Sequence, residues 1–335
     1  MTLTRSLFVT TTLALATTAA TADVNVYSYR QPELLAPLTE AFTAETGIAV
    51  NVAYLESGIT ERLVAEGDRS PADVILTVDI ARLAEAKAAG VTQPVHSDVL
   101  SAQVPADFRD PEGDWWGLTT RARVVYASKE RVAEGEIQNY EDLADPKWAG
   151  RICTRSGTHD YMIGLTSAYL EHHGAEATKE WLSGLKSNLA RKPQGNDRAQ
   201  VKAIWAGECD LSIGNTYYMG AMLADEEQSE WANSVRLEFP VFEGGGTHVN
   251  ISGVALTKAS KNKEEAIQFI EFLTSPNAQE IYAEANNEYP IAPGTAPSDL
   301  VASWGTFEAD AVNLMDIAGH RAEALRLTEE VDYDG

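Results

Sequence analysis

Leu211-Ser212-Ile213-Gly214-Asn215-Thr216-Tyr217-Tyr218 reads as a short apolar strand that runs into the start of a helix. Two adjacent tyrosines on one strand would point to opposite faces. At the first turn of a helix, neighbouring side chains differ by only about 100° around the axis, so both phenol oxygens can reach one point in a cleft. Asn215 or Thr216 is the expected cap of that helix. A phenol ionises near pH 10, so keeping both as phenolates near neutrality takes a strongly polarising cation, and a helix N-terminus favours their charge. Ferric iron, a hard cation, meets that demand best. Taken alone, a Tyr-Tyr pair is more simply one core residue and one surface residue, and the rest of the chain decides between the two readings.

Residues 1–22 have the pattern of an export signal: Arg5, an apolar centre over 7–16, then Ala20-Thr21-Ala22 before Asp23. Cleavage is expected near Ala22, giving a soluble periplasmic protein, since no later run is long and apolar enough to span a bilayer. The 335-residue chain leaves ample length after the signal for two domains with separate cores. Its formal net charge of -24 repels nucleic acid and anionic lipid and suits a protein that handles cations. Cys153 and Cys209 are its two cysteines. They are too few for a structural zinc site, and in an oxidising compartment a disulfide is the expected state. A loop of that length closed by a disulfide is worth about 4 kcal/mol on the chain-entropy estimate.

From Asp23 the pattern alternates strand and helix: a strand over 24–29, a helix over 33–46 with Leu34, Leu35, Leu38, Ala41 and Phe42 on one face, a strand over 48–54, a helix over 59–66 and a strand over 73–78. This α/β alternation predicts a parallel sheet flanked by helices, with ligands beyond the carboxyl ends of the strands, where Tyr29-Arg30-Gln31 falls. Residues 116–128 read as one long strand leaving this lobe, and 247–256 as the strand returning to it. Between them lies a second α/β pattern holding Cys153, Tyr161 and Tyr217. Two crossings between two lobes make a two-strand hinge. The expected division is a signal over 1–22, a first lobe over 23–122 and 248–298, and a second over 123–247 with C-terminal helices and a tail over 299–335.

Four segments together resemble the ferric-iron-binding proteins of bacterial ABC uptake systems: Tyr27-Ser28-Tyr29-Arg30-Gln31-Pro32, Cys153-Thr154-Arg155-Ser156 through Tyr161, Gln194-Gly195-Asn196-Asp197-Arg198 through Tyr217-Tyr218, and Gly246-Thr247-His248-Val249-Asn250-Ile251-Ser252-Gly253. The resemblance implies a two-lobed periplasmic-binding-protein fold of the type II kind, with two mixed or parallel sheets, closing on Fe(III). It implies Tyr161, Tyr217 and Tyr218 as the metal ligands, and a monomer serving an inner-membrane ABC permease and its ATPase. Many relatives add a histidine and a tyrosine from the loop after the first strand, where this chain has Arg30-Gln31-Pro32. It is thus similar to the subgroup that completes the iron shell with a synergistic anion such as carbonate, here placed on Arg30, a planar fork, and Gln31. Asn196 and Asn215 are the expected donors behind the ligands.

Other candidates weigh less. His159, at a helix start, is expected to point elsewhere than the metal, His172-His173 to form a solvated helix cap, and His248 to be a satisfied hinge residue. Asp332-Tyr333-Asp334-Gly335 reads as a solvated tail, and of Arg121 and Arg123 on the crossing strand one is expected to face the cleft and the other solvent. No Gly-x-Ser-x-Gly elbow or His-Glu-x-x-His helix is present, so a binding protein is expected rather than an enzyme. The competing reading is the same fold holding a polyamine or a phosphonate, which leaves the three tyrosines without a role.

Overall fold

The computed structural model describes residues 22–335, so the expected export signal lies almost wholly outside the described residues. The chain opens with β1 (Val24–Ser28), α1 (Pro32–Thr46), β2 (Val50–Tyr54), α2 (Ile59–Glu66), β3 (Val74–Thr77), α3 (Ile80–Ala88) and α4 (Asp98–Gln103). The long β4 (Trp116–Ser128) leads to β5 (Ile152–Cys153), α5 (Asp160–Ser187), α6 (Asp197–Trp205), β6 (Leu211–Asn215), α7 (Tyr217–Leu223), α8 (Ser229–Asn233) and β7 (Val235–Glu238). Then follow β8 (Val249–Leu256), α9 (Lys263–Thr274), α10 (Pro276–Asn286), β9 (Tyr289–Pro290), α11 (Asp299–Ala302), α12 (Leu314–Gly319) and α13 (Arg321–Glu330).

α1 forms where Leu35, Leu38 and Phe42 recur on one buried face, with Pro32 in the first turn, where its missing N–H costs little. β1 pairs in parallel with both β2 and β3. Its carboxyl end therefore delivers Tyr29 and Arg30 to the edge of the sheet. β4 is buried along its whole length. It pairs with β8 through Ala122 and with β6 from Arg123 onward, so one strand serves both halves. The two expected sheets thus form one continuous ladder of order β2-β1-β3-β8-β4-β6-β5, with β7 and β9 also on β4.

Each half has its own apolar core. Phe42, Phe269, Leu273 and Tyr282 lie at the centre of the first. Trp148, Trp181, Tyr140 and Phe242 lie in the second, whose cluster reaches Ile80 and Leu83 of α3 through Leu314 and Ile317 of α12. Cys153, at the end of β5, and Cys209, just before β6, are joined in a disulfide with Cα atoms 5.8 Å apart. That bond ties together the two segments that lead to the tyrosines.

Two sequence expectations fail here. The C-terminal residues are not a solvated tail: Tyr333 is 1% exposed, and its hydroxyl lies 3.1 Å from Thr154 Oγ1. Asp334 Oδ1 accepts from the Gly157 N–H at 2.7 Å. A Cβ at Gly157 would sit 2.5 Å from the Tyr333 ring, so glycine is what lets the tail dock under the loop that opens α5. The apolar ring and the loop's need for an acceptor outweigh the hydrophilic character of the flanking residues. Nor are His172 and His173 a solvated cap. They lie within α5 just before its break at Gly174, and His172 pairs with Asp310 at 2.9 Å and stacks on Phe242.

Tyr333→Ala removes a buried aromatic that supports the α5 entry loop. We expect it to lower unfolding free energy by about 3–5 kcal/mol in urea titrations. A loss below about 1 kcal/mol, the scale of an ordinary surface substitution, would show that the docked tail bears no load.

Candidate metal centre

Three phenols converge from two helix starts. His159 caps α5, its Nδ1 accepting from the Tyr161 N–H at 3.1 Å, which fixes Tyr161 in the first turn. Burial and the neighbouring Arg155 push the His159 ring down to about 4, so it is neutral near pH 7 and able to accept. At α7, neither Asn215 nor Thr216 supplies the expected side-chain cap. Asn215 still belongs to β6 and its Oδ1 accepts from Arg123 at 3.2 Å, while the Thr216 N–H bonds back to Ala122 of β4 at 3.1 Å. The crossing strand therefore anchors the helix start. The Tyr217 and Tyr218 rings pack 4.3 Å apart, and the Tyr217 hydroxyl lies 3.1 Å from that of Tyr161.

These hydroxyls face a cleft of about 270 Å³ between the two halves, lined from the opposite wall by Arg30, Gln31, Asn287 and Glu288. Burial, and then the other two phenols, push the Tyr217 hydroxyl well above its ordinary range. Burial and Tyr161 push Tyr218 up to about 12. Both are protonated near neutrality until a cation displaces the protons.

Beneath the phenols lies a buried ionic network. Asp197, fully buried, accepts from Arg123 at 3.0 Å, from Arg155 at 3.1 Å and from the Asn215 N–H at 3.2 Å. Arg155, Arg123 and Arg121 lie 5.0, 5.8 and 6.0 Å from the Tyr161 ring centre. Arg121 and Arg123 are both buried, which corrects the expectation that one meets solvent. Residues two apart on a strand share a face. His248 also departs from expectation: among the described residues its Nδ1 has no partner, and burial with Arg123 and Arg121 nearby pushes the ring down to about 3.

The first-half wall is more committed than its residue types suggested. Arg30 donates through Nη2 to Glu288 at 2.6 Å and Ser252 at 2.8 Å, and through Nη1 to Asn286 at 2.9 Å, leaving Nε without a partner. Three of its five N–H groups are thus occupied, and among the described residues the buried Nε and the second Nη1 N–H have no partner. Burial alone would raise Glu288, but Arg30 and Arg121 hold its carboxyl below the usual range. Gln31 is exposed and lines the cleft. Asn196 does not reach the cleft wall: it is exposed and caps α6, accepting from the Ala199 N–H at 3.0 Å. Asn215 is buried behind the phenols, its Nδ2 unpartnered.

Arg198 escaped the sequence reading. It follows Asp197 in the first turn of α6, lines the cleft 5.7 Å from the Tyr218 ring centre, and among the described residues has neither a hydrogen-bond nor an ion-pair partner, its buried Nε included. The alternation of a capping Asn, a buried Asp and a free Arg in Asn196-Asp197-Arg198 was its available signal. A separate carboxylate group, Asp110, Glu112 and Asp114, is met by Lys87, whose Nζ lies 2.7 Å from Asp110. An ammonium already supplies the charge there.

Two α/β halves joined by a shared strand, with a polar cleft walled by both, define a solute-binding protein. Residues 69–305 match the model of the bacterial extracellular solute-binding proteins, and the chain belongs to that family. It is 44% identical over 314 residues to iron uptake protein A1 of Synechocystis sp., covering 93% of this chain and 87% of that one. The ferric iron-binding protein A of Mannheimia haemolytica, solved in an open conformation, superposes with a TM-score of 0.90 at 50% identity, covering 94% of this chain and all of that one. The Trichodesmium protein IdiA/FutA, solved with iron and citrate ligands, gives 0.89 at 40% identity over 93% of this chain and 99% of that one. These relatives are binding proteins, and among the described residues no helix is long and apolar enough to cross a membrane.

Asp197→Asn keeps the shape of the buried network and removes its only anion. Two guanidiniums then lose their compensation, and we expect a stability loss of about 3–5 kcal/mol by denaturant titration. Wild-type stability in the variant would mean that the arginines are neutralised elsewhere.

Proposed function

We propose that this chain captures Fe(III) in the cleft between its halves through the phenolates of Tyr161, Tyr217 and Tyr218, and hands it to an ABC permease driven by its ATPase. Solute-binding proteins of this family serve such importers in general. The observation that carries the reading is the convergence of three phenols, one pair of hydroxyls 3.1 Å apart, on a cleft whose opposite wall is polar. Uncharged phenols gain little from such crowding, whereas three phenolates balance one ferric ion. The polyamine alternative fits poorly, because guanidiniums line the cleft. The lobes are taken as 23–122 with 248–298, and 123–247 with 299–335. The change of β4's partner between Ala122 and Arg123 supports that division.

Three phenolates leave coordination positions open on a hard ion, and an oxygen-donor anion such as carbonate would fill two. Its supports in this reading are Gln31 and Arg30 from the first half and, from the second half, the unpartnered Arg198. Export to the periplasm with cleavage near Ala22 and function as a monomer complete the proposal.

Iron titration should develop a visible phenolate-to-iron charge-transfer band, weakened along with affinity in Tyr217→Phe and Tyr218→Phe. A colourless stoichiometric complex would sink the assignment. Omitting bicarbonate from a non-coordinating buffer should weaken binding, and Arg198→Gln should blunt that dependence while keeping the colour. Equal affinity in both buffers would mean that water or another side chain completes the shell.

The pH dependence follows from the protonation states. Phenols raised above their ordinary range are protonated in the iron-free protein below about pH 10, so each must release its proton on binding. Affinity should therefore fall as pH falls, by up to about two decades per unit from Tyr217 and Tyr218 together. A pH-independent affinity between pH 6 and 8 would exclude phenolate ligation.

A further inference from the structure

The two walls of the cleft also meet at a contact that the metal chemistry does not require. In the first half, α10 ends at Asn287, a non-glycine residue in the left-handed conformation (φ 55°), whose N–H still closes the last turn onto Ala283. Its side chain lies directly on Gly220, in the middle of α7 of the second half. A Cβ built on Gly220 would sit 2.3 Å from Asn287 Cγ, 2.5 Å from Oδ1 and 2.6 Å from Nδ2. No side chain of any size fits at 220 while Asn287 stays where it is.

Each residue is a locally costly choice. Glycine inside a helix is worse than alanine by about 1 kcal/mol, and Gly220 has no positive φ that would call for it. A left-handed asparagine is tolerated rather than preferred. Two such choices on opposite walls coincide at one point. That point lies two residues beyond Tyr218, and Asn287 sits between Asn286 and Glu288, which hold Arg30.

We propose that Gly220 and Asn287 form a steric clasp, a positioning pair that seats the first half against the phenol-bearing helix and so brings Arg30 and Gln31 to the cargo. The cargo part rests on the iron reading above; the contact itself does not. A second link between the halves, Arg82 to Asp160 at 3.6 Å, is partly exposed and open to screening by water and salt. The clasp depends on shape instead, so any enlargement at 220 has to displace the Asn287 side chain.

Gly220→Ala and Gly220→Leu test this, since both residues favour helix and leave the phenols in place. The iron-loaded Gly220→Leu protein should take the charge-transfer colour, show a larger radius of gyration than wild type in solution scattering, and lose iron to excess EDTA about tenfold faster or more, because weakened contacts act mainly on dissociation. Gly220→Ala should fall between. Adding Asn287→Gly to Gly220→Ala keeps the left-handed turn, removes the obstructing side chain, and should restore slow loss. The clasp is overturned if Gly220→Leu matches wild type in size and iron loss, or if the double variant is no better than Gly220→Ala. A wild-type protein that takes no iron would defeat the iron reading. The clasp would then stand or fall on whether the iron-free Gly220→Leu protein is more expanded than the iron-free wild type.

Discussion

Four elements meet at one carboxylate. Asp197 binds Arg123 from β4, Arg155 from the loop that opens α5, and the backbone of Asn215 at the end of β6, while standing itself in the first turn of α6. Two of these elements lead within a few residues to the phenols, and α6 also carries the free guanidinium that faces them. A lone buried carboxylate would be costly; between two guanidiniums and an N–H it is satisfied, and its loss would leave two charges without an answer. The positions of Tyr161 and Tyr217 relative to one another are therefore set below the cleft, by an interaction that touches no cargo.

The cleft surface divides its labour between the halves. The second half supplies hard oxygen donors on helix starts, where the backbone dipole favours anionic oxygen. The first half supplies donors, but its most prominent one, Arg30, is already balanced by Glu288, so its contribution is shape and its uncommitted N–H groups rather than net charge. The unbalanced guanidinium on the wall is Arg198, on the same side as the phenols.

Period and punctuation made most of the architecture readable. Residues 116–128 read as one strand because the β-branched and apolar residues after Gly117 run on without a break, and the helix read over 33–46 announced itself through Leu35, Leu38 and Phe42 and the glycine behind them. The Tyr217-Tyr218 pair was readable from its place at a helix start and Tyr161 from a resemblance; the approach of Tyr161 to Tyr217 shows only in three dimensions. What stayed hidden were pairings between residues far apart in the chain: Arg30 with Glu288, Thr154 with Tyr333, Gly220 with Asn287. Asn196 illustrates a local rule winning. Its side chain satisfies the free N–H groups of its own helix, so it has nothing left to offer the cleft.

The shared strand carries a mechanical implication. β4 holds thirteen buried residues and passes from β8 to β6 between Ala122 and Arg123 without a gap in its ladder, and the carbonyl of His248, at the start of the return, accepts from the Arg123 N–H across the changeover. A joint made this way has no loose residue to swivel on. Rotation of one half against the other has to be spread as small changes of twist along a hydrogen-bonded ribbon, which resists bending in proportion to the angle imposed. The halves are coupled less like a door on its pin than like two plates welded to one leaf spring.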